Sequence, residues 1–121
     1  MTEPREPRRE CRLSQLDGEF RVKVLLLLQW MRDRGCDPEV FETRRSQRRQ
    51  EWLYGIGRTH HLRRRPVTWA RVSQHQFGAA VDIVSETRGW DWPRFFDLLE
   101  EGAERLGLET LPHDRCHVQW G

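Results

Sequence analysis

Residues 73–84, SQHQFGAAVDIV, decide how this chain is read. The stretch opens polar, passes through Gly78, Ala79 and Ala80, and closes on the apolar run of a buried strand. His75 and Asp82 stand seven residues apart in it. The small residues between them keep the backbone free of bulk, so both side chains can converge on one point. Two readings are open on spacing alone. One is a metal site; the other is a histidine satisfied in the core and an acid that caps a turn.

A hydrolytic zinc takes three protein ligands and keeps a fourth position open, and two His with one carboxylate is a common set. The third ligand would come from the last apolar segment, CHVQW at 116–120, whose alternation predicts a strand with His117 and Gln119 on one face and Cys116, Val118 and Trp120 on the other. Asp114 lies three residues before His117, where a carboxylate can serve as general base. His113 competes with His117 as ligand, but alternation favours His117. Cys116 is expected to face away from the site and pack in the core.

Working outward, Ser14 or Asp17 can cap a helix that runs to about Arg34 and stops at Gly35. Its apolar positions Phe20, Val24, Leu27, Leu28 and Met31 make one face. A short strand is expected over 39–42, and Ser46 caps a second helix ending near Gly55 or Gly57. Residues 57–72 show no period and predict a long loop, with the basic run HHLRRR (60–65) inside it. His60 and His61 read as loop residues rather than ligands. AAVDIV predicts a strand, and Asp91 caps a last helix through Pro93 to Leu106, before Gly107. The order α, β, α, loop, β, α, β predicts an α+β domain with a small antiparallel sheet flanked by helices. Residues 1–12 read as a disordered, solvated tail and 13–121 as a single domain.

The 121 residues allow one domain with a core of ordinary size. Basic and acidic residues nearly balance, 21 against 19, and 20 of the 21 basic residues are Arg. Three cysteines without a CxxC pair fit a reducing compartment better than a disulfide framework. No signal peptide is legible, and the longest aliphatic run, 24–28, is too short to span a bilayer. A chain made in the cytosol, monomeric and not inserted in a membrane, is the expectation.

SQHQFGAAVDIV resembles the Ser-x-His-x-x-Gly-x-Ala-x-Asp signature of zinc peptidases that cut peptidoglycan stem peptides, with Ser73, His75, Gly78, Ala80 and Asp82 all in place. That family holds D-Ala-D-Ala carboxypeptidases and the L-alanyl-D-glutamate endopeptidases of phage endolysins, on the Hedgehog/DD-peptidase fold. DRCHVQW is similar to its Asp-x-x-His strand, and RRSQRRQEWLYGIGRT to its Tyr-Arg-Ser-x-x-Arg-Gln helix entry. The resemblance runs from about residue 13 to 120. It implies a Zn2+ held by His75, Asp82 and His117, Asp114 as general base, and Arg45 binding substrate or polarising its carbonyl. Ser73 would contact the substrate or hold a neighbouring group. Arg44 departs from the family's Tyr, and Cys116 from a frequent Pro.

The resemblance implies a stem-peptide endopeptidase of endolysin type, released to the wall by a holin-type pore, with terminal D-Ala removal as the alternative. Two other classes compete. A nucleic-acid binder would use THHLRRR, but acids interleave the basic residues along the chain and no finger or helix-turn-helix pattern occurs, so no nucleic-acid partner is expected. A non-catalytic wall-binding domain would not need the complete ligand set.

Overall fold

Helix α1 spans Gly18–Arg32 and buries Phe20, Val24, Leu27, Leu28 and Met31, the face its periodicity predicts. Gly35, at φ 83°, lets the chain reverse so that Cys36 N donates back to Met31 O at 3.1 Å. Helix α2, Gln47–Gly55, starts where Ser46 Oγ accepts from Arg49 N at 3.1 Å. Helix α3, Pro93–Arg105, buries Phe95, Phe96, Leu98, Leu99 and Ala103. Trp92, not Asp91, occupies its cap position, and no side chain caps it. Asp91 belongs instead to the preceding turn, its N–H donating to Arg88 O at 3.0 Å. Pro93 opens the helix, where a missing N–H is no loss.

The computed structural model describes residues 3–68 and 73–121. The expected loop over 57–72 therefore lies partly outside the described residues. Its described part, 57–68, contains turns and an isolated bridge between Ile56 and His60 but neither helix nor strand.

Strands β1 (Pro38–Glu42), β2 (Ala80–Ser85), β3 (Leu108–Leu111) and β4 (Asp114–Trp120) form an antiparallel sheet in the order β1-β2-β4-β3. The α+β architecture is the one expected, with β3 as an added strand. At four residues, and followed at once by Pro112, β3 is too short to show its alternation. Register places Val81 opposite Val118 and Asp82 opposite His117, while Glu42 pairs with Asp82 from the other side. Odd and even positions of β2 therefore serve opposite faces. Val81, Ile83, Cys116 and Val118 join Phe20, Val24, Leu27, Phe95 and Leu99 in the core against α1 and α3. Phe20, Leu27, Phe95 and Leu99 are each 1% exposed or less, so each stabilises the fold by roughly 2 kcal/mol. The other face carries Asp82 and His117. No helix among the described residues is long and apolar enough to cross a membrane.

Residues 3–12, expected to be a solvated tail, have neither helix nor strand, but they are tied to the body of the protein. Trp52 Nε1 donates to Pro4 O (3.2 Å), Arg49 Nη1 to Glu6 Oε1 and Pro7 O (2.9 Å each), and Thr43 N to Glu10 O (2.8 Å). The Arg9 guanidinium stacks 3.7 Å above the Phe41 ring. Of the three cysteines, Cys36 and Cys116 are buried and Cys11, at the end of this strap, is exposed.

Gly78 joins this frame to the stretch that decides the fold. It adopts φ 69°, and its carbonyl accepts from Asp17 N at 2.9 Å, the residue that precedes α1. A Cβ there would meet Gln15 O at 3.0 Å and Asp17 N at 3.1 Å, both backbone atoms that cannot swing aside. Gly78→Ala therefore combines a left-handed backbone penalty with a clash, and should lower unfolding free energy by about 1–3 kcal/mol. A urea titration that leaves the midpoint unchanged would refute this role.

Candidate metal centre

His75 lies just before β2. It sits in a 3-10 turn, Gln74–Phe77, that a reciprocal cap holds in place. Ser73 Oγ accepts from His75 N at 3.2 Å, and Gln76 Oε1 accepts from Ser73 N at 2.9 Å. Gln76 Nε2 also donates to Gln47 Oε1 on α2. This reciprocal cap and the left-handed Gly78 hold the chain in a turn, and β2 starts at Ala80, one residue after the start of the expected AAVDIV.

His75 is fully buried, and its Nδ1 lies 2.8 Å from Thr43 O. A carbonyl only accepts, so Nδ1 carries the proton and Nε2 presents a lone pair. That Nε2 is 3.3 Å from Asp82 Oδ1. His117 is held in the opposite sense. Its Nε2 lies 2.8 Å from Gln119 Oε1, and Gln119 Nε2 in turn donates to Glu109 Oε2 at 3.2 Å, which fixes the amide orientation. His117 therefore offers Nδ1, 3.5 Å from the same Asp82 Oδ1. The two imidazoles meet edge to face, centroids 5.0 Å apart.

Asp82 Oδ1 is buried and has no hydrogen-bond partner among the described residues. Left so, such an atom costs roughly 1–3 kcal/mol. Tetrahedral ligands at about 2.05 Å from zinc stand roughly 3.3 Å from each other. The 3.3 and 3.5 Å separations match that edge, and the donor set of two imidazoles and a carboxylate suits zinc. Burial pushes the Asp82 carboxyl up, but His117 and His75 outweigh it and hold the group well below the usual carboxylate range. For His117, burial pushes down and the Asp82 carboxylate more than offsets this, so its pKa is raised. Without a metal, a proton on His117 adds to the Arg45 charge beside Asp82, and the carboxylate favours that protonated form.

Arg45 stands behind Asp82. Its Nη2 donates to Glu42 Oε1 at 2.7 Å and lies 3.6 Å from Asp82 Oδ2, while Nη1 donates to Gln50 Oε1 at 2.7 Å. Glu42, which the sequence reading did not single out, is the hub: its second oxygen accepts from Arg49 Nε at 2.5 Å. Thr43 and Gln119 were likewise not assigned roles toward the ligands. Gln119 had a signal, the alternation that puts it on the His117 face, whereas a main-chain carbonyl such as that of Thr43 leaves none.

Asp114 is exposed at the start of β4, and its carboxylate accepts from Cys116 Sγ at 3.4 Å. A carboxylate oxygen of Asp114, one of Asp82 and Cys116 Sγ lie within 4.8 Å of one another. Cys116 is in the core, as alternation implies, yet it also borders the site. The register break between Thr110 and Leu111 leaves residues 115–117 without β3 partners and relaxes strict alternation there. Burial, and then the carboxylates of Asp82 and Asp114, push the Cys116 thiol up, which disfavours the thiolate in the metal-free pocket. His113 is exposed and outside both clusters, and His60 packs on the Trp52 ring at 5.1 Å.

No family model and no curated protein matches the chain. Solved structures do. VanYB in complex with D-alanine-D-alanine is 20% identical with a TM-score of 0.71, covering 87% of this chain and 71% of that one. The L-Ala D-Glu endopeptidase ChiX of Serratia marcescens is 21% identical with a TM-score of 0.64, over 90% of this chain and 83% of that one. The vancomycin resistance D,D-pentapeptidase VanY in complex with Zn(II) is 20% identical with a TM-score of 0.69, over 87% and 72%. Likeness at these identities is a likeness of fold, and it gives the chain the expected DD-peptidase-like architecture.

The chain should bind one zinc ion, and His75→Ala or His117→Ala should abolish retention, whereas Cys116→Ala should keep the metal. Elemental analysis after gel filtration checks this, and loss of zinc from the Cys116 variant would reassign the ligands. Because the His117 pKa is raised, zinc must displace a proton, so apparent affinity should fall as pH drops below that raised value. Calorimetry in buffers of different ionisation enthalpy should show proton release on binding at pH values below the ordinary histidine pKa of 6.5, where a raised His117 is charged.

Proposed function

We propose that the chain is a zinc peptidase that hydrolyses peptidoglycan stem peptides between L-Ala and D-Glu. The observation that carries this reading is the buried His75, Asp82 and His117 set with an orphaned carboxylate oxygen, bordered by the exposed carboxylate of Asp114. Fold likeness to an L-Ala D-Glu endopeptidase and to a Zn(II) complex of the same architecture supports it.

Zinc bound there would supply Lewis acidity and positive charge toward the oxygen of the scissile carbonyl. Asp114 takes the proton of the attacking water and returns it to the leaving amine. Arg45, tied to Glu42 and Gln50, orients Asp82 and adds positive potential where negative charge develops. The Ser73 oxygen already accepts from the His75 amide, and its hydroxyl proton remains to be donated to the substrate. In this reading the monomeric enzyme is made in the cytosol and reaches the wall through a holin-type pore. Removal of a terminal D-Ala is the second reading, favoured by the likeness to a structure bound to D-alanine-D-alanine.

Mass spectrometry of fragments released from purified peptidoglycan by the zinc-loaded protein tests both. Stem peptides freed at the L-Ala–D-Glu bond support the endopeptidase, loss of alanine alone supports the carboxypeptidase, and intact stem peptides refute both. Asp114→Asn should retain zinc and lower kcat by roughly 10²- to 10⁴-fold. Activity near the wild-type level in that variant would remove Asp114 from the mechanism.

A further inference from the structure

Beside the metal centre is a cavity of about 300 Å³ lined by Arg8, Glu10, Gln15, Arg44, Arg45 and Ser46. Three of the six are guanidinium groups. Glu10, the lone acid, is already matched: its two oxygens accept from Arg12 Nε at 2.8 Å and Nη2 at 2.9 Å. Arg8 and Arg44 are exposed and make no hydrogen bond or close ion pair with any described residue, although the Arg8 charge also helps hold the Glu10 carboxyl down. Arg45 is nine-tenths buried, and its Nε is a donor without a partner among the described residues. The charge of Arg45 is paired with Glu42 and Asp82, so Arg8 and Arg44 are the guanidiniums that the cavity leaves without an ion pair, and planar forks of this kind fit a carboxylate.

Position gives the charge a purpose. Arg45 N donates to His75 O at 2.8 Å, so the floor of the cavity and the turn that carries a metal ligand are one hydrogen bond apart. Arg8 reaches the cavity because the strap is fixed on either side of it, by Arg49 to Glu6 and Pro7 and by Thr43 to Glu10. We infer that this cavity is a subsite for a carboxylate of the substrate, with Arg44 and the strap residue Arg8 as its specificity-determining side chains. The inference rests on the stem-peptide reading, since stem peptides carry free carboxylates next to the bonds at issue. The α-carboxylate of D-Glu, the residue whose amine leaves at the cut, is the group the cavity would select over its carboxamide.

Two measurements on zinc-loaded protein test it. The first follows arginine Nε–H resonances by NMR during titration with glutarate, for the wild type, the Arg8→Ala/Arg44→Ala double variant and Arg44→Lys. Saturable shifts in the wild type, absent from the double variant, are expected, with Arg44→Lys intermediate because it keeps the charge and loses the fork. The second compares cleavage of two synthetic stem peptides that differ only in a carboxylate or carboxamide on D-Glu. The wild type should favour the carboxylate by about tenfold or more in kcat/KM, and the double variant should lose that preference. No saturable shift, or an equal preference in the double variant, overturns the subsite. Glutarate binding without cleavage of either peptide would instead retain a carboxylate site and refute the peptidase. Cleavage of both peptides at equal efficiency would retain the peptidase and refute the subsite.

Discussion

A carboxylate buried between two imidazoles sets the terms for this molecule. Asp82 is desolvated, one of its oxygens lacks a hydrogen bond, and a ring nitrogen of each histidine stands 3.3 or 3.5 Å from that oxygen. An ionised group in that position is tolerable only with positive charge close by. Arg45 supplies part of it at 3.6 Å, and a proton or a metal among the histidines supplies the rest. The strand register exists in its present form because it brings the three together: a shift of one residue in β2 would turn Asp82 into the apolar layer and Ile83 out of it.

The charge does not end at Arg45. Glu42, across the sheet from Asp82, accepts from Arg45 and Arg49, and Arg49 reaches on to Glu6 and Pro7. Buried pairs of this sort are weak stabilisers once desolvation is counted, but removing one partner is expensive. The network is better understood as fixing geometry. It connects Asp82 on β2, the start of α2 and the N-terminal strap, so that groups from three distant parts of the sequence keep one arrangement.

Much of this was legible in the sequence. The faces of α1 and α3 follow from apolar spacing, the start of α2 from Ser46, and the pairing of Asp82 with His117 from their places in two apolar strands. What stayed hidden has physical reasons. The 3-10 turn at His75 competes with a strand over an ambiguous run, and only the reciprocal cap of Ser73 and Gln76 decides it. The cap of α3 moved from Asp91 to Trp92 because the acid is held in the turn before it. β3 is too short for a period to appear. Glu42 reads as one more acid in a charged chain until the fold buries it against two arginines, and several contacts of the strap are to the main-chain carbonyls of Pro4, Pro7 and Glu10, which carry no sequence signal.

The exposed thiol of Cys11 offers a vantage point that follows from the same arrangement. The other two thiols are buried, so a maleimide dye would react at one place on the native protein. That place is next to Glu10, on the rim of the arginine-lined cavity and a few residues from the contacts that hold the strap down. Emission from such a dye would register both occupancy of the cavity and lifting of the strap. Their relative timing would then be observable in a single stopped-flow trace.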